Sequence, residues 1–177
     1  MIDWKFIAAR EGKRLNGYVP EPRKSKSGVT IGCGVDIGHM TDDEFNLLPP
    51  TIQDKIEPYR HLTGLQALQK VRALPLMLPD EEVAILNQVM FDELSKELRE
   101  DYDRATAEGS FDQLTDEQQT CIMSVSFQYG VLAAKTPRFW KLVTHRDWNG
   151  AIHELENFGD DYASRRKLEA ELLKGLG

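Results

Sequence analysis

No stretch constrains this chain more than Gly28-Val29-Thr30-Ile31-Gly32-Cys33-Gly34-Val35-Asp36-Ile37-Gly38. Val29, Ile31, Val35 and Ile37 alternate with Gly28, Thr30, Gly32, Gly34, Asp36 and Gly38. Alternation with period two is the signature of a strand with one buried face. The opposite face carries hydrogen atoms, one hydroxyl and one carboxylate. Glycines weaken a strand, so four of them need a reason, and close approach of a ligand or of another backbone is the usual one. Thr30 and Asp36 would stand roughly 20 Å apart on a straight strand rising about 3.3 Å per residue. A hairpin or bulge at Gly32 and Gly34 is what would bring hydroxyl and carboxylate together.

Other chemistries fit the glycines poorly. Gly32, Gly34 and Gly38 do not satisfy GxGxxG and no GK[ST] follows, which disfavours a dinucleotide or P-loop phosphate site. Cys33 has His39 nearby, but the surroundings of a papain-like or elbow nucleophile are missing, so a small residue in a tight turn and a surface histidine is the better reading. Cys33 and Cys121 are the only cysteines, with no CxxC or Cys/His cluster; both read as free thiols, and neither a metal nor another cofactor is expected.

At 177 residues and 41% hydrophobic, the chain supports one substantial core, and a single domain of two lobes is expected. With 29 acidic against 22 basic residues the net charge is −7, which argues against nucleic-acid binding because phosphate contacts need concentrated Lys and Arg. No apolar run of eighteen residues exists, so nothing should span a membrane. The N-terminal residues lack the basic and apolar regions of a secretory signal. Synthesis in the cytoplasm is expected, and a target outside it would require delivery by another system.

Asp3 can cap a helix starting at Trp4 and ending near Gly12 or Gly17. Asn16 to Ser27 reads as loop, and the glycine-rich segment as one or two short strands. Thr41 caps a short helix broken by Pro49-Pro50; Thr51 to Glu57 and Thr63 to Leu74 follow as further helices. After Pro79 comes a helical stretch of about thirty residues with apolar positions at Val83, Leu86, Val89-Met90, Leu94 and Leu98. Thr115 and Gln118 form a capping box before the apolar run Cys121 to Phe127. Trp140, Trp148 and Ile152 mark a helical pair, and an amphipathic helix closes the chain. Helix dominates, with one small sheet early on.

Trp4, Ile7 and Ala8 share one stripe of the first helix, and Glu11 continues it. Burial disfavours the charged carboxylate, and a carboxylic acid held protonated is what a general acid requires. The alternative is a solvated Glu11 at a fraying helix end, paired with Arg10 or Arg14. The stripped strand favours the first reading, since a turn there would set a hydroxyl and a second carboxylate on a bare, sugar-wide surface next to the end of helix one.

Arg10-Glu11-Gly12 closing a helix, then a loop, then Gly28-Val29-Thr30-Ile31-Gly32-Cys33-Gly34, resembles the T4-type phage lysozymes. The stretch from Phe111 to Gly130 is similar to that family's late core helix. The stretch from Trp148 to Leu173 is similar to its Trp-containing helix and its Arg-Arg-x-x-Glu-Ala terminal helix. The resemblance implies an α+β, mostly helical, lysozyme-like fold. It implies an N-terminal lobe (about 1–78) with a small antiparallel sheet, a linking helix (about 79–108), an all-helical C-terminal lobe (about 109–177) and a cleft between the lobes. It also implies hydrolysis of the β-1,4 bond between N-acetylmuramic acid and N-acetylglucosamine in peptidoglycan glycan strands. Glu11 then matches the general acid and Thr30 the water-positioning hydroxyl; Gly32 and Gly34, on the bare face of the strand, are the expected substrate-binding positions. In the phage enzymes the second carboxylate lies nine residues after the Glu, where this chain has Pro20 with Glu21 beside it. Asp36, six residues after Thr30, instead resembles the pesticin-type branch of bacterial toxin domains, which carry Glu, Thr and Asp in that order. Asp36 is therefore preferred over Glu21 as the base.

The leading expectation is an inverting muramidase, as an antibacterial toxin domain or a phage endolysin. A wall-binding module that keeps the fold without catalysis is the alternative from another class, and the presence of Glu11, Thr30 and a credible base argues against it. A lytic transglycosylase needs only one acid/base group and no captured water, so Thr30 with Asp36 argues against that as well. An acidic protein facing an anionic wall leaves room for a delivery partner or an immunity protein.

Overall fold

The computed structural model describes residues 1–175. Helix accounts for 62% of it, beside one three-stranded antiparallel sheet, so the fold is the expected lysozyme-like α+β class. The chain forms two compact units: one runs from Glu11 to Glu93, and the other joins Met1–Arg10 to the residues from Leu94 onward. Among the described residues no helix is long and apolar enough to cross a membrane.

Helix α1 (Trp4–Glu11) begins where Asp3 Oδ1 accepts from the amides of Lys5 at 2.9 Å and Phe6 at 3.0 Å, as a capping aspartate should. It ends at Gly12, whose φ of +73° no side chain accepts cheaply. The sheet follows, in the order β1 (Arg14–Tyr18), β2 (Thr30–Gly32), β3 (Val35–Asp36).

β1 departs from the sequence reading, which took the chain from Asn16 onward as loop. Its residues, Arg-Leu-Asn-Gly-Tyr, show no alternation, and the strand is imposed from outside. Arg14 pairs with Gly32 and Tyr18 with Thr30, while Gly17 N–H donates to the Leu76 carbonyl and Leu78 N–H to that of Leu15. Gly17 is needed there because a Cβ would meet Val29 Cγ1 at 2.9 Å and Leu76 Cβ at 3.0 Å.

Val29, Ile31, Val35 and Ile37 are all buried, as their spacing predicts. They share one apolar core with Ile52 and Ile56 of α3 (Pro50–Ile56) and with Val83 and Leu86 of α5 (Asp80–Ala105). Between sheet and α3 lies α2 (Asp42–Asn46), opened by a capping box of Thr41 and Glu44; Pro50 then starts α3, its missing N–H costing nothing at a first helical position. α4 (Gly64–Ala73) completes this unit.

α5 starts in the sheet unit and ends in the helical one, and at 26 residues it stops short of the expected thirty because Thr106 turns back to bond Glu108 and Thr144. The second unit continues with α6 (Asp116–Tyr129), capped by Thr115 and Gln118 as expected, then α7 (Leu132–Lys135), α8 (Pro137–Thr144), α9 (Trp148–Glu156) and α10 (Ala163–Lys174). The Arg-Arg-x-x-Glu run of α10 is structural. Fully buried Glu169 accepts from Ser124 Oγ, Arg165 Nε and Arg166 Nη1, tying α10 to α6.

Candidate functional site

β2 and β3 form the hairpin that the glycines foreshadow. Ile31 faces Val35 and Thr30 faces Asp36 directly across the pair, so their Cβ atoms lie about 4.5–5.5 Å apart instead of the extended-chain separation. The turn between them rests on Gly32 at φ +66° and Gly34 at φ +113°, with Gly34 N–H donating to the Ile31 carbonyl.

Three of the four glycines answer to the protein's own atoms. A Cβ on Gly28 would stand 2.5 Å from both Gly38 Cα and Asp36 Oδ1; on Gly38, 2.3 Å from the Leu62 carbonyl oxygen; on Gly32, 2.3 Å from Asn87 Oδ1. Only at Gly34 would it meet nothing within 4 Å. The stripped face is therefore mostly covered, with Gly28, Thr30, Gly32 and Gly38 buried and Gly34 exposed. Gly28 and Gly38 thus serve the close approach of each other's backbone and of the Leu62 carbonyl, and Gly32 makes room for the Asn87 and Val83 side chains.

Asp36 is partly exposed and heavily engaged. Gly28 N–H lies 3.0 Å from each of its carboxylate oxygens, Gly38 N–H donates to Oδ1 at 3.0 Å, and His39 Nδ1 lies 3.0 Å from Oδ2. The Thr30 hydroxyl, 4% exposed, donates to the Gly28 carbonyl at 3.3 Å. Gly28 thus joins the Thr30 and Asp36 side chains through its backbone, donating to the carboxylate and accepting from the hydroxyl. Because Tyr18 faces Thr30 across the other edge of β2, a row Tyr18, Thr30, Asp36 crosses the sheet. Tyr18 went unnoticed in the sequence because β1 did, and the Arg14 guanidinium covers its ring at 4.1 Å.

Glu11 is half-buried at the last residue of α1. Three residues further on, Arg14 pairs with Gly32 at the hairpin turn, which brings this end of α1 toward it; burial pushes the Cys33 thiol up, the negative charge of Glu11 adds to that push, and Lys13 opposes it. Glu21 sits in a different setting, on a loop, with its backbone at φ 39°, its side chain 70% exposed and its carboxylate 3.9 Å from Lys24. Cys33 and His39 do not form a dyad. The thiol meets Asn87, and the imidazole meets Asp36. Both cysteines are free and buried, and among the described residues no group of three or more His, Cys, Asp or Glu could hold a metal ion.

Asn87 was also invisible in the sequence, one amide on a long helix. It is buried on α5, and its Oδ1 accepts from Cys33 N–H at 2.9 Å while Nδ2 reaches Cys33 Sγ at 3.5 Å.

The arrangement pairs a hydroxyl with a carboxylate on one hairpin and sets a half-buried carboxyl beside that hairpin's turn. Chemically this offers one group to donate a proton and two to hold and activate a water. No curated protein matches the chain. A family profile does match, over residues 1–149, described as a bacterial toxin homologue of phage lysozyme, C-terminal part. That match takes in Glu11, the whole hairpin and α5, and it shows that the chain belongs to the pesticin family.

Proposed function

We propose that this protein is a peptidoglycan muramidase acting as an antibacterial toxin domain, and that it hydrolyses the β-1,4 bond between N-acetylmuramic acid and N-acetylglucosamine with inversion. Membership of a family described as toxin homologues of phage lysozyme supports glycoside hydrolysis of the wall. The observation that carries the finer reading is the direct cross-strand pairing of Thr30 with Asp36 on the hairpin beside Glu11.

In this reading Glu11 donates a proton to the leaving glycosidic oxygen. Asp36 takes a proton from a water that attacks the anomeric carbon from the opposite face. Thr30 orients that water, a role that exists only if a water is captured, which favours inversion over a covalent intermediate. Gly34, the one open glycine of the turn, leaves room for a sugar ring. A toxin of this kind meets its wall through a delivery partner, and an immunity protein is its expected counterpart.

Clearing of purified walls by the wild type and by Glu11→Gln, with circular dichroism on both, tests the assignment. The wild type should clear and the folded amide variant should not, because an amide cannot donate the proton. Near-equal clearing by the two would remove Glu11 from the chemistry.

A further inference from the structure

We propose that the first two turns of α5 are the template that sets the acid and the hairpin in register, with Asn87 as the positioning residue at its centre; the inference rests on the hydrolase reading above. Asp80, Val83 and Asn87 are spaced three and four apart, so they share one face of the helix, and the outer two stand about 10 Å apart along it. Each touches a different part of the site. Asp80 Oδ1 pairs with Lys13 Nζ at 2.5 Å, two residues beyond Glu11. Val83 Cγ1 lies 3.2 Å from where a Gly32 Cβ would stand. Asn87 grips Cys33, the residue at the turn whose thiol feels the Glu11 charge.

Asn87 is the part of this template that cannot be exchanged. Its Oδ1 satisfies the Cys33 N–H, and its own Nδ2 has the Cys33 sulfur as partner, so both ends of a buried amide are spent on one turn residue. Gly32 lacks a side chain at the point where that amide enters. The turn therefore has one position relative to α5, and so do Thr30 and Asp36, which lie three residues from Cys33 on either side. Catalytic geometry tolerates little error, since a displacement of about 1 Å can cost on the order of a hundredfold in rate.

The test compares Asn87→Ala with Ile52→Val, a change of the same apolar core away from the template, using kcat and KM on solubilised glycan, melting temperature, and hydrogen exchange at the Cys33 amide. Asn87→Ala should lower kcat by about tenfold or more with KM within about twofold, and should speed exchange at Cys33. Ile52→Val should lose a comparable amount of thermal stability and keep its kcat per folded molecule. A kcat for Asn87→Ala within twofold of wild type, or a kcat loss that Ile52→Val shares, overturns the positioning role while leaving the hydrolase reading intact. A folded wild type that releases no reducing ends sinks the hydrolase reading and this inference with it.

Discussion

Asp36→Asn separates the clamp that the structure shows at this carboxylate from the base that the proposed function assigns to it. As a clamp, Asp36 accepts from Gly28 and Gly38 amides and meets His39. The asparagine keeps one oxygen, which can still serve Gly28 and Gly38, but it turns Oδ2 into an amide donor facing another donor at Gly28. Hydrogen bonds to a charged group contribute about 1.5–3 kcal/mol and neutral ones about 0.5–1.5, so the exchange should cost about 1–3 kcal/mol of stability. For a chain of this size that is a fall of about 2–12 °C in melting temperature. As a general base, Asp36 should be worth a further factor of about a hundred to ten thousand in rate, over and above any loss of folded protein. The assay is release of reducing ends at a temperature where circular dichroism shows both proteins fully folded, with Glu21→Gln alongside. Glu21, on its solvated loop, should lose less than about 0.5 kcal/mol and almost no rate. If folded Asp36→Asn keeps more than a tenth of wild-type activity, Asp36 is a clamp alone and the base lies elsewhere. A dead Glu21→Gln would say where.

Three further outcomes follow from the same contacts. Gly38→Ala should destabilise the sheet unit by about 1–3 kcal/mol or more, because its Cβ would sit 2.3 Å from the Leu62 carbonyl; urea titration of this variant checks that, and an unchanged midpoint would refute it. Burial pushes both thiols up, Cys121 well above its usual range, so iodoacetamide at pH 8 should leave the native protein unmodified, and Cys33→Ser assayed with EDTA should keep most of its activity. Burial alone would raise the Asp160 carboxyl, but hydrogen bonds from Tyr129 and Arg166 outweigh it and hold it below the ordinary value. Its stabilising contribution is therefore complete above the unfolded pKa of about 3.9 and is lost as pH falls through the lower folded value. Asp160→Asn should flatten the pH dependence of stability in that acid window, and an unaltered acid titration would contradict it.

How far the sequence carried depended on whether the cause of a feature was local. The caps at Asp3, Thr41 and Thr115, the long helix after Pro79 and the alternating core of the hairpin all follow from residues within a few positions of one another, and each is present. β1 was missed because nothing in Arg-Leu-Asn-Gly-Tyr prefers a strand; β2 and the segment around Leu76 and Leu78 impose it. Asn87 was missed for the same reason, its partner lying 54 residues away. The pairing of Thr30 with Asp36 was legible as a condition on the glycines, and the turn meets that condition. Spacing alone left the reason for the glycines open between a ligand and a close neighbour, because the neighbours are distant in sequence: Leu62 beside Gly38, and Asn87 and Val83 beside Gly32.

The close approach of Gly28 and Gly38 bears on how relatives of this chain should be recognised. Those two residues and Gly32 are demanded by assembly of the hairpin, and they would be demanded equally in a protein that had exchanged Thr30 or Asp36 for inert side chains. A glycine signature of this kind identifies a shape. A homologue that carries it without the hydroxyl and the carboxylate would fold the same hairpin around an empty chemistry, and a search keyed to the glycines alone would gather enzymes and silent copies together.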